Sequence, residues 1–170
     1  MSICYTTNMK IEGIVIQGKG IASGKNVDPE TGLTNTIALQ KPFFERAGVK
    51  KISDVFEGTI NMDISPKEFH IDVPDKIVKD VTWDKDTTES FQFVEVTIVY
   101  PLEEENKREY PGYIYYPMVS EERRELKSHP DTRIELLASK IEGLTYGKEI
   151  AIFVPDGKIL IKDPPQQPQL

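Results

Sequence analysis

Apolar and polar positions alternate at period 2 along much of the chain. The clearest case is residues 89–100, ESFQFVEVTIVY, where Phe91, Phe93, Val94, Val96, Ile98 and Tyr100 predict a strand with one face turned to a core. The charged stretch 102–108 reads as a hairpin loop, and residues 110–116 as its return strand. Residues 10–17, 36–39, 58–64, 69–73, 77–81 and 133–139 also read as strands, with a polar turn at 84–89. Residues 149–154 and 158–162 predict a final hairpin across Pro155-Asp156-Gly157. Helices are few. Residues 41–48 predict one, with Pro42 in its first turn and Gly48 just past its end, and residues 120–126 predict another behind the N-cap Ser120. Many short strands separated by turns predict a mainly β chain, a small closed β-barrel with a few short helices.

One strand carries more than alternation. In Phe56-Glu57-Gly58-Thr59-Ile60-Asn61-Met62-Asp63-Ile64, the apolar Ile60, Met62 and Ile64 take one face, and Thr59, Asn61 and Asp63 take the face away from the core. Taken alone, this is a half-solvated hairpin strand with an ordinary polar outer face. The same oxygen-bearing set also suits a hard cation such as Mg²⁺, which needs few protein ligands. A second feature lies upstream. The first strand runs into Gly18-Lys19-Gly20-Ile21-Ala22-Ser23-Gly24-Lys25, where glycines let backbone N–H groups approach a ligand and two lysines add positive charge. By itself such a loop is a plain connection at least as often as a phosphate cradle.

Composition narrows the classes. With 170 residues, 38% hydrophobic and 29% charged, the chain fits one soluble globular domain. Residues 1–9 form an N-terminal extension, 10–162 the domain, and 163–170 a Pro/Gln-rich tail. A net charge of -7 argues against broad binding to nucleic acid or to anionic membranes. No apolar run reaches the roughly 18 residues of a membrane span, and no secretory signal is visible. The one cysteine, Cys4, forms no internal disulfide and fits a reducing, cytoplasmic setting. The two histidines, His70 and His129, have no metal-ligand spacing. A P-loop and a dinucleotide fingerprint are both absent, since Gly18-x-Gly20 lacks a third glycine and a βαβ context. What remains is a glycine loop and a Thr/Asn strand, enough for chemistry that works by positioning and charge neutralisation.

In that order the chain resembles the archaeal-type CTP-dependent riboflavin kinases, small barrels of the cradle-loop kind. The resemblance runs over residues 10–162. It rests on the strand and loop Gly13-Ile14-Val15-Ile16-Gln17-Gly18-Lys19-Gly20-Ile21-Ala22, on Glu57-Gly58-Thr59-Ile60-Asn61, on Gly112-Tyr113-Ile114-Tyr115-Tyr116-Pro117, and on Ile134-Glu135-Leu136-Leu137-Ala138. It implies that Thr59 and Asn61 hold Mg²⁺ and serve catalysis, that Gly18, Lys19, Gly20, Ile21, Ala22 and Ser23 hold the nucleotide phosphates, and that Glu135 lies on the flavin side. The family's flavin-side threonine has no equivalent here; His129 stands in that neighbourhood. Ala22 replaces the family's third loop glycine, and residues 139–144 replace its proline and basic helix. The implied reaction is transfer of the CTP γ-phosphate to riboflavin, giving FMN and CDP. The alternative is a barrel with a degraded site, binding a nucleotide, a flavin or a protein.

Overall fold

The computed structural model describes residues 7–20, 23–29, 32–118 and 131–166. The expected helix at 120–126, the loop residues Ile21 and Ala22, and His129 lie outside the described residues. In chain order the elements are β1 (Asn8–Ile16), α1 (Thr36–Arg46), a 3-10 turn over Ile52–Asp54, β2 (Ile60–Asp63), β3 (Glu68–Ile71), β4 (Lys76–Asp84), β5 (Thr87–Val99), β6 (Glu109–Met118), β7 (Arg133–Ala138), β8 (Glu149–Pro155) and β9 (Ile159–Lys162).

The strands pair antiparallel in the order β4-β5-β6-β7-β2-β1-β8, and β5 pairs β8 in addition. Hydrogen bonds therefore run in a ring from β5 through β6, β7, β2, β1 and β8 back to β5, with β4 attached outside it. Strand β5 is long enough to serve both neighbours on one edge. Its first half faces β4, from Phe93 opposite Lys76 to Thr87 opposite Asp84, and its end faces β8 at Thr97–Phe153, Ile98–Ile152 and Val99–Ala151. The expected β5–β6 hairpin is present, in register from Ser90–Met118 to Val99–Glu109.

Strand parity sorts the apolar residues into two cores. Val94, Val96 and Ile98 of β5, Ile114 of β6, Ile134 and Leu136 of β7, Met62 of β2 and Ile150, Ile152 and Val154 of β8 pack inside the ring. The opposite parity, Phe91 and Phe93, Tyr113 and Tyr115, and Leu137, forms a second core outside it, covered by Ile37 and Phe44 of α1. The Phe44 ring meets Phe91 and Phe93 edge-on, with centroids 4.9 Å apart in both pairs. This geometry suits the aromatic quadrupoles.

Three expectations are corrected. Residues 36–39 are not a strand but the first turn of α1, which runs on through Pro42 to Arg46. β-branched Thr36 and Ile37 favour strands locally, but burying Ile37 and Phe44 on one helix face outweighs that preference. Pro42 thus sits inside the helix rather than in its first turn. The final hairpin is also not a ladder: the chain turns at 155–158, but β8 pairs β1 and β5, while β9 pairs β3. On the polar face of β2, Asn61 is buried while Thr59 and Asp63 are half-buried.

Candidate functional site

The outer face of the ring continues past the second core. Leu137 of β7 belongs to that core. Two and four residues earlier on the same strand face come Glu135 and Arg133. In the β2–β7 ladder Asn61 stands opposite Glu135, and Asp63 opposite Arg133. The apolar end of this face is filled by α1. The polar end is open, and a cavity of about 910 Å³ occupies it.

The glycine loop forms one wall. Leaving β1, it turns at Gly20, and Asn26 clips the turn as a double donor: its backbone N–H donates to the Gly20 carbonyl at 3.0 Å and its Nδ2 to the Lys19 carbonyl at 2.7 Å. The loop lies directly on Asn61. A Cβ on Gly18 would stand 2.5 Å from Asn61 Nδ2 and 2.9 Å from its Cγ, so only glycine lets the two segments touch. Gly58 packs against the loop's far side, where an added Cβ would meet Ser23 Cβ at 3.0 Å. Residues 56–58 are latched in turn to the end of β7, Phe56 N–H donating to the Ala138 carbonyl at 2.9 Å.

Between these walls a chain of contacts joins the polar side chains. Asn61 Nδ2 donates to Thr59 Oγ1 at 3.4 Å, and Thr59 Oγ1 to Glu135 Oε1 at 3.4 Å. Burial pushes the Glu135 carboxyl up to about 7. The Thr59 hydrogen bond and the charges of Arg133 and Lys19 act in the opposite direction. Behind Glu135, Tyr115 donates its hydroxyl to Gln40 Oε1 at 2.8 Å, both side chains buried, which ties α1 to β6 at the rim of the cavity. Burial first, and the negative charges of Glu135 and Glu89 second, hold the Tyr115 hydroxyl well above the usual tyrosine range. Trp83 closes a further side, its Nε1 donating to Glu89 Oε2 at 3.1 Å. At the mouth, residues 139–141 and 144–146 line the cavity, and Lys25 lies over the exposed Tyr146 ring, 5.9 Å from its centroid. Gly147 anchors that segment to β1, donating to the Val15 carbonyl at 2.7 Å.

Of the residues singled out in the sequence, Gly18, Lys19, Gly20, Ser23, Thr59, Asn61 and Glu135 all line this one cavity. Ile21, Ala22 and His129 lie outside the described residues. Asp63 does not join them: its Oδ1 accepts from the backbone N–H of Ser65 at 2.9 Å and from the Ser65 hydroxyl at 2.5 Å, closing the turn after β2. Sequence reasoning missed Arg133 and Gln40. Alternation in β7 places Arg133 on the face of Glu135, so that signal was present in the pattern. Gln40 gives no such signal, since its value comes from a partner on another element.

The oxygen set at this spot is a hydroxyl, a side-chain amide and a carboxylate, the hard donors that Mg²⁺ prefers. Gly18, without a side chain, brings the glycine loop directly against Asn61. The residues therefore fit such an ion. Comparison with protein-family models and with curated proteins returns no match for this chain.

Proposed function

We propose that this protein is a Mg²⁺-dependent phosphotransferase that moves the γ-phosphate of a nucleoside triphosphate, CTP by resemblance, to the 5′-hydroxyl of riboflavin, giving FMN and the nucleoside diphosphate in the cytoplasm. One observation carries the reading. The three segments that the resemblance assigns to phosphates, metal and flavin are far apart in sequence, yet they line a single cavity of about 910 Å³. That volume is at the upper end of small-molecule sites, as two substrates require. The ring of strands is then read as a closed cradle-loop barrel, with the glycine loop laid across its outside.

In this reading the loop from Gly18 to Ser23 receives the phosphate chain, and Thr59 and Asn61 hold the metal. When bound, Mg²⁺ supplies counter-charge to the phosphate oxygens. The riboflavin hydroxyl oxygen bonds to the γ-phosphorus as the bond from that phosphorus to the β–γ bridging oxygen breaks. The hydroxyl proton passes to the carboxylate of Glu135, which is hydrogen-bonded to Thr59. Trp83 and Tyr115 supply flat walls for a planar ring.

The test is FMN formation from riboflavin with CTP, ATP or GTP and Mg²⁺, followed by chromatography. Thr59→Ala and Asn61→Ala are each expected to lower kcat/KM by about a hundredfold, the scale of losing one electrostatic group at a reacting phosphate. Undiminished rates in both variants would sink the metal assignment. Tight binding of FMN or CDP without turnover would make the cavity a binding module instead.

A further inference from the structure

Arg133 is the residue of the cavity wall whose chemistry is least explained by the protein itself. It opens β7, on the outward face shared with Glu135, and lines the cavity. Its Nε is buried, yet finds no hydrogen-bond partner among the described residues. Burying a charged donor without an acceptor forfeits its bond to water, so such a group calls for an acceptor. The acid directly across the ladder, Asp63, makes no hydrogen bond to this Nε; its Oδ1 accepts from Ser65. Glu135 feels the Arg133 charge, but it also accepts from Thr59. Lys19 acts on the same carboxylate from the glycine loop. Two cations from different elements thus line the same cavity, in a chain of net charge -7.

The identity of the unmet atom narrows the ligand. Nε–H and the adjacent Nη–H form the side-on fork of a guanidinium, whose spacing matches two oxygens of one phosphate group. We infer that Arg133 is a substrate-contact residue that grips two oxygens of a phosphoryl group in the cavity through its side-on fork, with Lys19 as the second cation. The group it takes is the terminal phosphoryl of a di- or triphosphate, the same one that leaves on a phosphomonoester product. The assignment of that phosphate to a nucleotide rests on the proposed function; the anion site itself does not.

The experiment uses isothermal titration of the full chain with pyrophosphate, FMN and riboflavin, in Mg²⁺, for the wild type, Arg133→Lys and Arg133→Met. Loss of a charge-assisted fork predicts that Arg133→Met weakens pyrophosphate and FMN binding by about tenfold or more and leaves riboflavin binding unchanged. Arg133→Lys keeps the charge but not the fork, and is expected to recover only part of the loss. A merely structural arginine would lower the melting temperature without separating FMN from riboflavin. Wild-type pyrophosphate affinity in either folded variant overturns the inference, as does failure of the wild type to bind pyrophosphate. If Arg133→Met does not fold, Arg133→Lys alone decides, since fork and charge are separated in it. The two readings fail separately. A wild type that binds pyrophosphate through Arg133 but makes no FMN removes the kinase reading and keeps the anion site. A wild type that makes FMN, with an unchanged KM for nucleotide in the Arg133 variants, does the reverse.

Discussion

Glu135 sits with Thr59 and Asn61 on one wall of the cavity, and the elevation of its carboxyl to about 7 has a consequence for stability. Its usual value is 4.5. Between 4.5 and about 7 the folded protein holds a proton that the unfolded chain has released, so stability falls as pH rises through this window and levels off above it. The full change is on the order of 3 kcal/mol. In metal-free protein, thermal melts from pH 4 to 8 are expected to show that decline, and Glu135→Gln is expected to flatten it. Gly18 offers a second test. The Cβ of Gly18→Ala would lie 2.5 Å from the end of the Asn61 side chain, which can swing away. The variant is expected to stay folded, with a melting temperature within a few degrees of wild type, while FMN formation drops about as far as in Asn61→Ala. Thr59 and Asn61 were legible in the sequence because alternation marks a polar face. That Asn61 would be buried was not legible, because the glycine loop and β7 that flank it come from residues about 40 and 75 positions away.

The elements differ in how much of them local sequence could reveal. The β5–β6 hairpin was plain from alternation and a charged loop. Helix α1 was not: its start mimics a strand, and Pro42 reads as a first-turn residue although it lies within the helix. What holds α1 in place is Phe44, fully buried between Phe91 and Phe93. Phe44→Ala is expected to destabilise the fold by about 3–5 kcal/mol in urea titrations. Tyr115→Phe tests the other tie. It leaves the buried Gln40 Oε1 without the hydroxyl that donates to it, so a loss of about 1–2 kcal/mol is expected. If α1 also shapes the cavity rim, that variant weakens ligand binding as well as stability. The failed expectation of a terminal hairpin has a different origin. Pro155-Asp156-Gly157 does turn the chain, but turn chemistry cannot say which strand β9 will meet, and its partner β3 lies about 90 residues upstream.

For the molecule as a whole, the ring depends on pairings that no local pattern encodes. Strand β5 is flanked along one edge by β6 and along the other by β4 and then β8. Its central amides are expected to be the slowest to exchange with deuterium, and those of the two-stranded β3–β9 sheet among the fastest of the strand amides. Equal protection in the two would mean that the small sheet unfolds only with the ring. The ladder between β1 and β8 runs from Asn8 opposite Pro155 to Ile14 opposite Glu149, and the Thr7 hydroxyl donates to the Asp156 carboxylate beyond it. A ribosome makes β1 first among these strands and β8 near the end. Throughout that interval β1 and the end of β5 each carry a bare edge of unpaired N–H and C=O groups, the surface on which nascent chains cling to one another. Translation speed, and whatever shelters those edges until residues 149–155 emerge, therefore belong to the conditions under which this protein is made in usable form.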